Sequence, residues 1–393
     1  MHKRGYFGQF GGQFIPELLY PAVTELEEAF IRYAKDQNFR QELDRLLKHF
    51  AGRPTPLYLA RNTSKEIGCT VYFKREDLLH GGSHKLNNAL GQTLLAKRMG
   101  KKRIITETAA GMHGVATVMA ANVVGLTTEV YMGVQDIQRQ SMNAEKIKLL
   151  GGIVHPVTRG HGVLKDAVSE ALVAWIGDAR KTHYLIGSAV GPHPFPTIVA
   201  HFQSIIGQEM KKQILKMEHK LPKTIIACGS GGSNAIGAFG AFLKEKNVEL
   251  VFVEGGGKSL RGDHHAAALT EGSVGIFQGA KTYLVQDAYG MDRKTESRSA
   301  GLNYPARGPQ MSYLFSIGRV KATHASDREV LETFRRVAQS EGILPAFETC
   351  HALAELYKRK GIYKKDDVVI LNFSGRGDKD MEVALRLFNE KNL

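Results

Sequence analysis

Short runs of β-branched and apolar residues alternate along most of the chain with longer stretches in which apolar positions recur every three or four residues. The short runs fall at residues 71–73, 103–107, 128–132, 153–157, 224–228, 249–253 and 368–373, and they predict strands. Between them Leu86, Leu90, Leu94 and Lys97 keep helical spacing up to a stop at Gly100, and residues 164–177 and 327–342 behave likewise. Alternation of this kind predicts an α/β fold, with mostly parallel sheet covered by helices on both faces. The proline-rich turn at 191–196 precedes a long predicted helix from Thr197 to about Lys216 and is the predicted domain junction. In such folds ligands collect at the carboxyl ends of parallel strands, which directs attention to the loops after Glu107, Cys228 and Phe373.

Composition narrows the class of protein without fixing the chemistry. A chain of 393 residues has room for two domains, and 43% hydrophobic with 23% charged residues reads as an ordinary folded protein. Lysine and arginine exceed acidic residues by 53 minus 39, a net charge of +14 that favours anions. The charges are scattered and no aromatic-rich binding module interrupts them, so no nucleic-acid partner is expected. Cys69, Cys228 and Cys350 are widely spaced and fit neither a disulfide framework nor a zinc site. No apolar run has the length of a signal peptide or membrane span, so no membrane association and a cytoplasmic location are expected.

Two separated segments carry candidate chemistry. Lys85 lies in HGGSHKLNNALGQ at residues 80–92, at the mouth of a predicted helix. There, apolar neighbours can strip its hydration and let the amine condense with a carbonyl as a Schiff base. The second segment, GSGGSN at 229–234, is a strand-to-helix turn whose backbone N–H groups and helix dipole suit a phosphate. It fits neither GxxxxGK[ST] nor GxGxxG, so a phosphate smaller than a nucleotide's is the better match. Taken singly, each has an ordinary reading as a solvated lysine and a plain connection.

The whole chain resembles the tryptophan synthase β-chain family, fold-type II pyridoxal-phosphate enzymes. The resemblance is carried in order by GYFGQFGGQFIPE (5–17), AGRPTPLY (51–58), FKREDLLH (73–80), HKLNNALGQTLLAKRMGKKRIITET (84–108), HGVAT (113–117), GPHPFP (191–196), SAGLNYP (299–305) and SGRGDKD (374–380). It implies two open twisted sheets facing each other across the cofactor. The expected units are an N-terminal helical segment, 1–52, packing on the C-terminal domain; an α/β domain, 53–196, with a mobile substrate-closing subdomain; and an α/β domain, 197–393, with the phosphate turn. The implied reaction joins indole to L-serine to give L-tryptophan, in a homodimer partnered by an α chain.

Residue by residue, the resemblance implies that Lys85 bonds the cofactor and removes the α-proton. Ser230, Gly231, Gly232, Ser233 and Asn234 form the phosphate cup with help from His84, Asn88 joins the cofactor site, Glu348 lies near the ring and Ser374 meets the pyridine nitrogen. A hydroxyl there leaves that nitrogen unprotonated and favours β-elimination. Glu107 protonates the departing hydroxyl and handles the indole proton. Thr108, Ala109, Ala110, Gly111, Met112 and His113 bind the substrate carboxylate through loop N–H groups. Backbone carbonyls of Ser230, Tyr304 and Ala306 align with a monovalent-cation site, for Na+ or K+. Lys165 aligns with a lysine that contacts the α chain.

Several positions depart from the family pattern. Ser230 and Ala109 stand where glycine is usual, Met112 where glutamine is, and Val173 where an arginine is. Asn303 replaces an aspartate that reads the serine hydroxyl and pairs with an arginine, here Arg139, in the closed state; an amide cannot supply that charge-assisted pair. Arg298 and Arg307 bracket the same loop at positions usually apolar or small, and Gln278 lies in the stretch associated with the indole pocket. Extra arginines would suit an anionic donor such as O-phosphoserine, or simply face solvent. Two further readings are a serine deaminase using the same lysine, and a non-catalytic cofactor-binding relative that regulates a partner; the pairing of Lys85 with Glu107 argues against the last.

Overall fold

The computed structural model describes residues 4–390; residues 1–3 and 391–393, at the ends of the two outer expected units, lie outside the described residues. Six strands form one sheet in the order Lys321–Ala325, Glu249–Gly255, Thr224–Cys228, Val368–Phe373, Thr70–Arg75 and Leu57–Leu59. All neighbours are parallel except the last pair. A second sheet, wholly parallel, orders Ile153–Val157, Thr127–Gly133, Arg103–Thr108 and Thr182–Tyr184. Helices cover both faces of the larger sheet, and every residue of Thr224–Cys228 and Val368–Phe373 is buried. That double covering is why these strands read as unbroken apolar runs rather than alternating ones.

All seven predicted strands are present, and a third sheet was not predicted. It is antiparallel and joins Tyr6–Phe7, Phe10–Gly11, Ala280–Leu284 and Ser273–Phe277. Two of its strands have two residues each, too short for a period-2 signal. The hairpin Ser273–Phe277/Ala280–Leu284 turns on Gln278 and Gly279, with φ of 42° and 92°. Two left-handed residues in a two-residue loop match the right-handed twist of the strands, and glutamine is not a residue that advertises such a turn.

One organisational expectation changes. The long helix after the proline turn is two helices, Phe195–Gln203 and Ile205–Glu218, separated at Ser204. The N-terminal helices Tyr20–Tyr33 and Gln37–His49 were expected against the C-terminal domain. Their apolar faces, Val23, Leu26, Phe39 and Leu43, pack with Leu86, Leu90 and Leu94 of the helix Lys85–Arg98, and Phe30 and Phe39 also meet His201 and Phe202 of the helix Phe195–Gln203, so these helices touch both larger expected units. The strand Thr70–Arg75 belongs to the six-stranded sheet, so the chain visits that sheet before it builds the other. A buried charge cluster ties this crossing: Arg53 meets Glu76 at 2.9 Å and Glu209 at 2.8 Å, and Lys74 meets Glu209 at 2.7 Å. Among the described residues no helix is long and apolar enough to cross a membrane, and no group of His, Cys, Asp and Glu could hold a metal.

Candidate active site

Between the two parallel sheets, three strand-end loops meet the start of helix Lys85–Arg98 around a small cavity of about 70 Å³. Lys85 lines this cavity, as do Ser230 to Asn234, Glu348 and Ser374. The turn after Thr224–Cys228 enters the helix Ser233–Gly240 through Gly232, whose φ of 88° lies in the left-handed region where only glycine is unstrained. Ser230 is not among the residues with left-handed φ, so a side chain is tolerated there. At Gly231 a Cβ would come 2.2 Å from Ser188 Oγ and 2.7 Å from Val190 Cγ1, so a side chain there would have to displace both neighbours. The first N–H groups of Ser233–Gly240 have no partner within their own helix. Asn234, held by the Cys228 carbonyl at 2.9 Å and by Asn372 at 3.0 Å, fixes the turn.

Lys85 retains some accessible surface because it faces the cavities, yet the surrounding protein lowers its amine pKa by desolvation, with Lys379 adding like-charge repulsion. His84 is held near pKa 3 by burial and by Lys85, so its imidazole is neutral. Its Nδ1 lies 3.0 Å from the Ser374 carbonyl and must donate there, leaving Nε2 to accept from the Ser233 hydroxyl at 3.1 Å. Ser374 Oγ is 3.1 Å from Thr349 Oγ1 and 3.5 Å from Cys228 Sγ. Burial would raise the Glu348 carboxyl, but Lys379 at 2.9 Å outweighs it and keeps Glu348 well below the usual carboxylate range. Lys379, which sequence reasoning left unassigned inside SGRGDKD, is therefore an integral charge of this cavity.

A larger cavity of about 500 Å³ shares Lys85 and adds Glu107. Burial pushes the Glu107 carboxyl up to about 7, against the opposing pull of Tyr184, nearby backbone amides and Lys85. Its Oε2 is buried without a hydrogen bond. Thr108, Ala109, Ala110, Met112 and His113 line the cavity beside it. Gly111 begins the helix Met112–Val124 at φ 76°, where a Cβ would strike Asn143 at 2.3 Å; Asn143 in turn donates to the Ala110 carbonyl at 2.6 Å and fixes the loop. The far wall is apolar, and it opens at Phe14, Val173 and Ile276, which are 44%, 62% and 55% exposed.

Other expected site residues lie elsewhere. Asn88 lines neither cavity; its amide donates to the Ile186 carbonyl at 2.9 Å and accepts from Gln92 at 2.8 Å, so its work is to hold the helix against that strand-end segment. Asn303 Oδ1 is buried without a partner, Arg139 is exposed, and no hydrogen bond joins the two among the described residues. Lys165 pairs within the chain, with Asp292 at 2.7 Å. Neither loop arginine faces the cavities: Arg298 is exposed, and Arg307 is buried against Glu254 at 2.6 Å. The anionic-donor reading therefore loses the charges that suggested it. The expected cation site is also altered, because Arg307 Nη1 donates to the carbonyls of Tyr304 and Ala306, at 3.1 and 2.9 Å. Those oxygens are already committed, and the donor set does not fit a free ion.

A desolvated lysine facing a glycine-rich turn at a helix start, with a serine and an ion-paired glutamate on the walls between, is a site for an enzyme that holds a phosphorylated aldehyde. A family model described as pyridoxal-phosphate dependent enzyme matches residues 49–375. Tryptophan synthase beta chain 1 of Methanosarcina acetivorans is 50% identical over 388 residues, 98% of this chain and 96% of that protein. The chain belongs to the pyridoxal-phosphate-dependent enzyme family and, within it, to the tryptophan synthase β chains. Among solved structures, a fungal L-serine ammonia-lyase from Rhizomucor miehei aligns with a TM-score of 0.66 at 19% identity, covering 87% of this chain and 99% of that one. A pyridoxal 5'-phosphate-dependent aspartate racemase aligns with a TM-score of 0.64 at 16% identity, covering 92% and 96%. At these identities the two structures show the shared fold.

Proposed function

We propose that this chain condenses indole with L-serine to give L-tryptophan and water. The observation that carries this reading is one continuous space of about 500 Å³, in which the cavity holding Lys85 and Glu107 runs on along apolar walls to the exposed Phe14, Val173 and Ile276. Bound pyridoxal phosphate supplies an electron sink that acidifies the amino acid's α-proton and lets its β-substituent leave. Lys85 would anchor the cofactor, and its Nζ, whose pKa burial lowers, would take the α-proton and return it to the product. The N–H groups at 230–234 would hold the cofactor's phosphate, and Ser374, on the same cavity wall, would offer the ring nitrogen a neutral hydroxyl rather than a charge. Burial raises the Glu107 carboxyl to about 7, so it can carry a proton near neutral pH; it gives that proton to the leaving hydroxyl, which departs as water, and then receives the proton that indole sheds. The loop Thr108–His113 binds the α-carboxylate with N–H groups at the start of helix Met112–Val124.

The protein also works, on this reading, in the cytoplasm as a homodimer with a tryptophan synthase α chain covering the exposed mouth of the passage. Three buried cysteines without disulfides suit a reducing compartment. Purified holoprotein given L-serine and indole should accumulate tryptophan, and Lys85→Ala should lose roughly a thousandfold or more. Borohydride reduction should attach a pyridoxyl group to Lys85. Pyruvate release that outpaces tryptophan formation with indole present would replace this reading with a deaminase.

A further inference from the structure

Arg307 and Ser230, two of the departures from the family pattern, meet in the folded chain. The Arg307 side chain is fully buried, as is its partner Glu254. Its Nε donates to Glu254 Oε1 at 2.6 Å and Nη2 donates to the Ala266 carbonyl. Nη1 donates to the carbonyls of Ala306 at 2.9 Å and Tyr304 at 3.1 Å, with Ser230 Oγ at 3.4 Å. The backbone of Arg307 is pinned as well, its N–H to the Tyr283 carbonyl at 3.0 Å and its carbonyl by Thr282 Oγ1 at 2.6 Å. Glu254 Oε1 also accepts from the Leu269 N–H at 2.9 Å, and its Oε2 accepts from the Thr270 N–H at 3.0 Å.

One positive charge is thus enclosed by one carboxylate and three backbone carbonyls. A bare monovalent ion asks for the same thing, hard oxygen ligands converging on a point. Two of the three carbonyls expected to hold such an ion, those of Tyr304 and Ala306, bond Arg307, and the third residue, Ser230, meets it through its side chain. The position also matters to the site. The next residue, Gly308, lies so close that a Cβ would come 2.8 Å from the Gly231 carbonyl, pressing this segment onto the phosphate turn.

We propose that Arg307 is a built-in cation: its guanidinium stands in for a monovalent ion, ties the segment 299–307 to the phosphate turn, and makes catalysis independent of added Na+ or K+. The idea rests on the proposed reaction only for its rate assay. The experiment takes the holoprotein exchanged into tetramethylammonium buffer and titrates Na+, K+ or Cs+ at constant ionic strength. Two readouts are followed, the thermal midpoint and the initial rate with serine and indole. Wild type should vary less than about twofold in rate across the cations, with no saturable shift in midpoint. Arg307→Ala leaves Glu254 and the carbonyls around a vacancy that an ion with its water can enter; it should lose roughly tenfold or more in tetramethylammonium and recover on adding K+ or Na+. A merely structural arginine would give a loss that no small ion repairs, and that result overturns the proposal. Saturable activation of wild type by roughly tenfold overturns it equally. If the variant does not fold in any salt, the wild-type titration decides alone. If no salt yields tryptophan, the reaction reading fails, and the midpoints still decide this one.

Discussion

Burial holds the Glu107 carboxyl near pKa 7, above an ordinary glutamate, and both activity and stability should report it. The proton that Glu107 donates is progressively lost as pH rises through 7, so the rate of β-elimination should fall on that limb, and Glu107→Gln should abolish the limb along with most of the activity. For stability the sign is the same. A raised carboxyl contributes fully below its unfolded value and loses that contribution as pH rises through about 7. Glu107→Gln should therefore gain on wild type between pH 5 and 8, by up to about 3 kcal/mol, in denaturant midpoints. A constant difference between the two proteins over that range would show that Glu107 titrates normally. Lys85 and the turn at 230–234 were legible because a lysine at a helix mouth and a glycine-rich turn are local patterns. Lys379 and Arg307 were not, since a buried cation is defined by partners such as Glu348 and Glu254 that lie 31 and 53 residues away.

At the scale of elements, the cluster of Arg53, Lys74, Glu76 and Glu209 joins the strand Thr70–Arg75 to the helices that carry the site. Glu76 accepts from Arg53 at 2.9 and 3.0 Å, from Thr55 at 2.6 Å and from Asn87, two residues beyond Lys85, at 3.1 Å. Burial works against its ionised form, but Arg53 outweighs it and holds Glu76 at about 2. That contribution is present above the unfolded carboxylate value and lost as pH falls toward 2. Glu76→Gln leaves Arg53 short of a counter-charge and should cost about 3–5 kcal/mol in chemical denaturation. A cost below 1 kcal/mol would mean that Glu209 alone suffices for both cations. The central strands Thr224–Cys228 and Val368–Phe373 could be read as apolar runs because burial on two faces writes itself into every residue. The packing of residues 20–49 against Lys85–Arg98 could not, because an amphipathic helix announces that it has an apolar face but not which neighbour will cover it.

Over the whole molecule, the apolar passage ends where Val173 and Ile276 are exposed, and the proposed α chain should cover them. Ile276→Asp should raise the concentration of α chain required for stimulation roughly tenfold, a larger loss than any in the basal rate with free indole. Equal loss of both would place Ile276 in substrate passage rather than in docking. Lys165 stands near the same rim, joined to the passage by Gln278, which donates to the Lys165 carbonyl at 3.2 Å and accepts from Tyr304 at 2.6 Å. Its ammonium already has a companion in Asp292. An incoming subunit that offers Lys165 a carboxylate must displace one that is there, so attraction on that side is the difference between two similar ion pairs, close to zero. Recognition then falls to shape and greasy surface, and assembly of this pair should respond only weakly to the ionic strength of its surroundings.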